Sequence, residues 1–239
     1  MIAPRTLRLL VLWDVDHTLL QSRGVGREMY ERAVPAAFGV PFRKLADVSG
    51  RTELDIIAET LTLHGIQSTD ANTARLAQAL TDGYETGRDE LARRGRALPG
   101  AREVLAALAD DPAVHQGVLT GNLRAVARIK LEAFDLARFL DLDASAYGDD
   151  HADRAELVTI ARYRAAERTG VTFDAEHTVL VGDTPRDVEA GRRTGVRVVA
   201  VASGRSTASD LRAAGAEDVL PDLTDVSSLV RMLVPGEGR

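Results

Sequence analysis

Between Leu7 and Trp13 only Arg8 is polar, and the run ends in Asp14-Val15-Asp16. A strand apolar on both faces belongs inside a parallel sheet covered by helices on each side, so this one segment calls for a layered α/β architecture. Its ending poses a problem. Burying an unpaired carboxylate is costly, and a second one nearby adds to the cost unless a cation or a proton intervenes. Asp14 and Asp16 therefore need a partner.

Downstream, strand and helix patterns alternate. A helix is expected near Arg102–Ala109, a strand at "VHQGVLT", a helix at "NLRAVARIKLEAF", a strand near "FLDLDAS", a helix over Ala155–Arg168, and strands at "HTVLVG" and "VRVVAVAS". That rhythm predicts a doubly wound α/β domain. Residues 21–97 break it. Val25, Met29, Ala33 and Ala37 recur at helical spacing, with Pro35 expected to end or kink that helix. Thr52 is placed to cap a second helix through Leu54, Ile57 and Leu61, stopped by Gly65, and Leu76, Leu80 and Tyr84 mark a third. The expected organisation is a discontinuous core of residues 1–20 and 98–239 with a helical insert of residues 21–97. The tail "PGEGR" is expected to be loose.

With 239 residues and 45% apolar composition, the chain can bury a core, and no apolar run reaches the roughly 20 residues of a membrane span. The start shows no signal peptide, which leads to the expectation of a cytoplasmic protein. A net charge of -6 with scattered arginines argues against a general nucleic-acid or anionic-membrane surface. There is no cysteine, so thiolate chemistry and Cys-ligated zinc are excluded.

In open α/β sheets ligands bind beyond the carboxyl ends of the strands. Three such ends carry polar groups: Asp14, Asp16 and Thr18 after the first, Thr120, Gly121 and Asn122 after "GVL", and Gly182, Asp183, Thr184 and Asp187 after "TVLV". Thr120 or Asn122 could simply cap the next helix, and "TPRD" reads as a capping box in which Asp187 serves the backbone. Asp183 has no such local use. Four carboxylates at neighbouring strand ends call for a hard cation, and magnesium suits them because it takes one or two carboxylates, waters and a phosphate oxygen.

"DVDHT", "LTGN" and "VGDTPRDVEAG" together resemble the DxDxT, second and fourth motifs of the haloacid dehalogenase superfamily, in order and with a helical insert after the first. The subgroup most similar is the one with a helical cap, which includes phosphoglycolate phosphatase-like enzymes and β-phosphoglucomutases. The resemblance implies a magnesium-dependent phosphatase acting on a small phosphorylated metabolite, as monomer or homodimer. In that scheme Asp14 is the nucleophile and Asp16 the acid/base; Thr120, Gly121 and Asn122 hold phosphoryl oxygens. Asp14, the Asp16 backbone carbonyl and Asp183 hold the metal, with Asp187 as ligand through water or behind the others, and Thr18 fixes the loop.

Two positions depart from the pattern. Arg154 stands where the family usually has lysine, and His17 where it often has glycine. Lys130 falls inside the preceding helix pattern and is a poor replacement for the missing lysine. A phosphomutase remains open, as does a catalytically idle magnesium- and phosphate-binding module; a dehalogenase is disfavoured by Asp16. Arg51, in a loop at the start of a cap helix, is expected to meet an anionic part of the substrate that is not transferred, as phosphoglycolate would supply.

Overall fold

In the computed structural model, which describes residues 8–234, the apolar run forms strand β1 (Leu9–Trp13), buried along its whole length. Leu9, Val11 and Trp13 pack into one cluster with Val104, Leu105 and Leu131, whereas Leu10 and Leu12 pack into another with Leu157, Val158 and Leu180. Two apolar layers explain the lack of polar alternation. Leu7 and the tail Pro235–Arg239 lie outside the described residues.

After β1 come a short strand β2 (Leu20–Gln21) and helices α1 (Val25–Phe38), α2 (Glu53–Leu63), α3 (Asp70–Thr86) and α4 (Arg88–Arg94), then β3 (Arg96–Ala97). β2 and β3 pair antiparallel, Leu20 with Ala97 and Gln21 with Arg96, so the chain leaves the sheet and returns to it side by side. Beyond β3 run α5 (Ala101–Ala109), β4 (Val114–Val118), α6 (Arg124–Ala133), α7 (Arg154–Thr169), β5 (Thr178–Gly182) and α8 (Pro185–Thr194). The chain ends with β6 (Arg197–Val201), α9 (Ala208–Ala213), β7 (Asp218–Leu220) and α10 (Val226–Leu233).

The main sheet is parallel, in the order β4-β1-β5-β6-β7. This is the doubly wound α/β class with helices inserted after β1. Trp13 is level with Val118 of β4 and Val181 of β5, which brings the residues following all three strands to one rim. The inserted helices share an apolar cluster, with Val25 and Met29 of α1, Ile57 and Leu61 of α2 and Leu76 and Leu80 of α3, completed by Val126 and Ile129 of α6. They are therefore seated on the helix that follows β4.

Local details differ from the sequence expectations. Pro35 does not end α1, which runs to Phe38 and closes at Gly39, φ 68°. The Gly39 N–H bonds back to the Pro35 carbonyl at 2.8 Å, so helical bonding resumes past the proline. Thr52 occupies the N-cap position of α2, but its hydroxyl donates to the Ala152 carbonyl at 3.2 Å instead of accepting from the helix. "FLDLDAS" is not a strand. Its first residue, Phe139, ends a 3-10 turn begun at Ala137, and then the Asp141 carboxylate accepts from the Asp143 and Ala144 N–H groups, with an isolated bridge between Leu119 and Ala146 just beyond. Local aspartate-to-backbone bonds have displaced the ladder there.

Candidate active site

Asp14 directly follows β1, and its N–H donates to the Val181 carbonyl at 2.9 Å, which extends the β1–β5 pairing to the aspartate itself. Asp183 directly follows β5. The Thr18 hydroxyl reaches Asp183 Oδ1 at 3.4 Å, consistent with a loop-fixing threonine. Asp187 lies in the first turn of α8, where it completes a capping box with Thr184: its Oδ2 accepts from the Thr184 N–H at 3.1 Å and from the hydroxyl at 2.6 Å. Its other oxygen is free for Arg154, whose Nε donates at 2.8 Å while Nη2 donates to Asp14 Oδ1 at 2.8 Å. Capping and site chemistry use different oxygens of one carboxylate.

Among the described residues, Asp14, Asp183 and Asp187 can each bring an oxygen within 4.8 Å of the others, and all three are buried. Burial pushes the Asp14 carboxyl up, against the pull of Arg154, and the Asp187 charge adds to the rise. Burial, with Asp14 and Asp187 behind it, pushes Asp183 up as well. Three carboxyl groups face one guanidinium, and the excess negative charge they would carry when ionised is relieved either by protons or by a hard divalent cation. The donors are all oxygen, and the chemistry of the set fits magnesium.

Asp16 points elsewhere. Its Oδ2 accepts from Lys130 Nζ at 2.6 Å and from Asn122 Nδ2 at 2.8 Å. Burial favours the protonated acid, but the Lys130 ammonium and the Asn122 amide outweigh it and hold Asp16 below the usual carboxylate range. Oδ2 is thus committed to Lys130 and Asn122. His17, next along, takes φ 66°, the left-handed region in which glycine is free of strain.

Thr120 and Asn122 do not cap α6. The N-cap position belongs to Leu123, and the Arg124 N–H is satisfied at 3.0 Å by Asp149 Oδ1. Instead Thr120 Oγ1 accepts from the N–H and the side-chain amide of Asn122, at 3.3 and 2.8 Å. Gly121 is needed for a different reason: a Cβ there would stand 2.1 Å from the Arg51 carbonyl oxygen. The Gly121 carbonyl accepts from the Glu53 N–H at 2.7 Å, so the start of α2 is bonded straight to this loop.

Arg51 is positioned differently from the expectation. Its guanidinium binds Asp55 at 2.6 Å, Glu59, and the carbonyls of Asp47 and Asp55 at 3.1 and 3.2 Å. The carboxylates it meets belong to α2, the helix that it precedes, and the residue also lines the cavity described next.

A cavity of about 390 Å³ opens between the sheet rim and the inserted helices, lined by Asp14, Asp183 and Arg154 below and by Tyr30, Glu53 and Tyr84 above. Sequence reasoning set Lys130 aside, read Tyr84 only as part of a helix stripe, and missed Glu53 and Tyr30 as lining residues. Lys130 is buried, bonded to Asn122 Oδ1 at 2.6 Å as well as to Asp16, and lies 5.4 Å from the centre of the Tyr84 ring. The signal was present in α6, where a lysine interrupts the buried stripe Val126, Ala127, Ile129 and Leu131. A charge on an apolar helix face asks for a buried partner. Glu53 carries no such signal, because an acid in the first turn of a helix is ordinary.

The chain belongs to the haloacid dehalogenase-like hydrolase family, whose model matches residues 11–192. Its fold is shared with a hydrolase from Pseudomonas syringae, 24% identical, covering 95% of this chain and 99% of that one with a TM-score of 0.66. A predicted phosphatase from Clostridium acetobutylicum is 17% identical over 95% and 100% of the two chains, with a TM-score of 0.69. A predicted phosphoglycolate phosphatase from Haemophilus somnus is 16% identical over 94% and 98%, with a TM-score of 0.63. No curated relative matches the chain. Among the described residues no helix is long and apolar enough to cross a membrane.

Proposed function

We propose that this protein is a magnesium-dependent phosphatase that hydrolyses a small phosphorylated metabolite through an aspartyl-phosphate on Asp14. The observation that carries this reading is the division of labour between two aspartates on one loop. Asp14 faces the acid cluster and Arg154, while Asp16 is held by Lys130 and Asn122.

In the first half-reaction an Asp14 oxygen attacks phosphorus, the bond to the leaving oxygen breaks, and Asp16 passes a proton to that oxygen. Because Lys130 keeps Asp16 ionised, that proton arrives with the phosphoester monoanion and Asp16 relays it. In the second half, water attacks phosphorus, Asp16 takes its proton, and the bond to Asp14 breaks to release phosphate. Thr120 Oγ and the N–H groups around Gly121 and Asn122 would hold the transferring oxygens, and Arg154 would balance charge on Asp14. Asp14, Asp183 and the Asp16 carbonyl would hold magnesium, with Asp187 behind them, and the ion would neutralise charge on the attacking carboxylate and the phosphoryl group.

Residues 21–97 are read as a cap over a core of residues 1–20 and 98–239, supported by the β2–β3 pair where the chain crosses twice. A cytoplasmic enzyme acting on a soluble metabolite fits this reading. A phosphomutase would differ only in the acceptor of the phosphoryl group from Asp14. The test is hydrolysis of p-nitrophenyl phosphate, expected with magnesium, lost with EDTA and restored by added magnesium. Hydrolysis indifferent to EDTA would remove the metal from the account, and none under any condition would favour an idle binding module.

A further inference from the structure

Lys130 stands where the packing of α6 asks for an apolar residue. It interrupts the buried stripe Val126, Ala127, Ile129 and Leu131, and its side chain is only 5% exposed. Burying an ammonium is costly, and a buried ion pair seldom adds stability over apolar packing of the same volume. The lysine is better explained by what it holds.

An ammonium can only donate. Nζ donates to Asp16 Oδ2 at 2.6 Å and to Asn122 Oδ1 at 2.6 Å. With its carbonyl oxygen turned to Lys130, the Asn122 amide presents its N–H pair to the other side. There Nδ2 donates to the same Asp16 Oδ2 at 2.8 Å and to Thr120 Oγ1 at 2.8 Å. Lys130, Asn122 and Asp16 thus close a triangle of hydrogen bonds between α6, the loop after β4 and the loop after β1. The Tyr84 ring, brought over by α3, lies 5.4 Å from Nζ and adds a cation–π contact on the cap side.

Both bonds to the Asp16 carboxyl arrive at Oδ2. Among the described residues no protein hydrogen bond reaches Oδ1, and the side chain, 31% exposed, lines the cavity. Two donors fill the two lone pairs of Oδ2, so proton transfer falls to Oδ1.

We propose that Lys130 is a positioning residue for the acid/base: by holding Asp16 Oδ2, directly and through Asn122, it aims Oδ1 at the reacting oxygens. In the first half-reaction Oδ1 takes the proton of the phosphoester monoanion and gives it to the leaving oxygen as the bond to phosphorus breaks. In the second, Oδ1 takes a proton from the attacking water as the bond to Asp14 breaks, and releases it to solvent. This rests on the phosphatase reading and adds to it the oxygen that carries the proton and the residue that aims it.

The experiment compares two esters on the magnesium-loaded enzyme: glycerol phosphate, whose leaving group needs a proton, and p-nitrophenyl phosphate, whose leaving group does not. Lys130→Met should lower kcat/KM for glycerol phosphate about a hundredfold, the effect of displacing a reacting group by about 1 Å. For p-nitrophenyl phosphate kcat/KM reports the first half-reaction alone and should stay within about threefold of the parent, whereas kcat falls and a burst of p-nitrophenolate appears because water attack is slowed. In an Asp16→Asn background, Lys130→Met should lower kcat/KM for glycerol phosphate by less than about threefold more, since a residue that acts through another does not add to its loss. Lys130→Gln, which keeps an N–H donor without the charge, should fall between the parent and Lys130→Met, and carries the same comparison should the methionine variant not fold. Parallel losses of kcat/KM on both esters, or losses that add in full to those of Asp16→Asn, would mark a lysine that serves the fold alone and overturn the assignment while the phosphatase reading stands. A parent enzyme that hydrolyses neither ester would overturn the phosphatase reading and this inference with it.

Discussion

Asp14→Asn should lower kcat by on the order of a thousandfold or more while the protein stays folded. An amide cannot attack phosphorus, and removal of a nucleophile is among the largest single losses an enzyme shows. Stability should not suffer. Burial and the neighbouring charge of Asp187 already drive the Asp14 carboxyl toward its protonated form, and the asparagine oxygen can still accept from Arg154. The apo variant is therefore expected to melt no lower than the parent. Turnover within tenfold of the parent would remove Asp14 from the nucleophile role.

Arg154→Ala should act on both activity and stability. Its guanidinium joins Asp14 and Asp187 in a setting where all three side chains are buried. Deleting one partner of such a group leaves buried charge uncompensated, a loss of about 3–5 kcal/mol in comparable sites. The metal-free variant should melt well below the parent, and magnesium should restore part of the difference because it can take over the missing positive charge. With magnesium bound, kcat should still fall by roughly two orders of magnitude, as for a deleted transition-state contact. Arg154→Lys should recover some of the rate without the two-pronged bond to Asp14 and Asp187. Normal kinetics in the alanine variant would confine Arg154 to a structural part.

The layered fold was legible because β1 is apolar on both faces, and the acid-bearing strand ends followed from where the apolar runs stop. Arg154 was visible through the family resemblance, as the residue standing where a lysine is usual. What stayed hidden depends on tertiary placement. Lys130 interrupts the apolar stripe of α6, but that it meets Asp16 and Asn122 follows only from how α6 sits against the loops after β1 and β4. Glu53 and Tyr30 meet across two helices, α1 and α2, and nothing in either local sequence announces the pair. Arg51 was placed at the cavity without its protein partners, because Asp55 and Glu59 lie one and two turns beyond it on the helix it precedes. "FLDLDAS" misled through its apolar residues, when the aspartates between them decide its conformation by bonding to the backbone.

The most direct test of the central claim is to trap the phosphoryl group on Asp14. Asp16→Asn spares the nucleophile, and p-nitrophenolate leaves without a proton, so the first half-reaction should proceed with p-nitrophenyl phosphate. The second half needs a base for water and should stall. Acid quenching of this variant with magnesium and p-nitrophenyl phosphate, followed by borohydride reduction and peptide mapping, should give homoserine at position 14 and release about one equivalent of p-nitrophenolate. Continued hydrolysis at the parental rate, with no modified residue at position 14, would contradict an aspartyl-phosphate on Asp14.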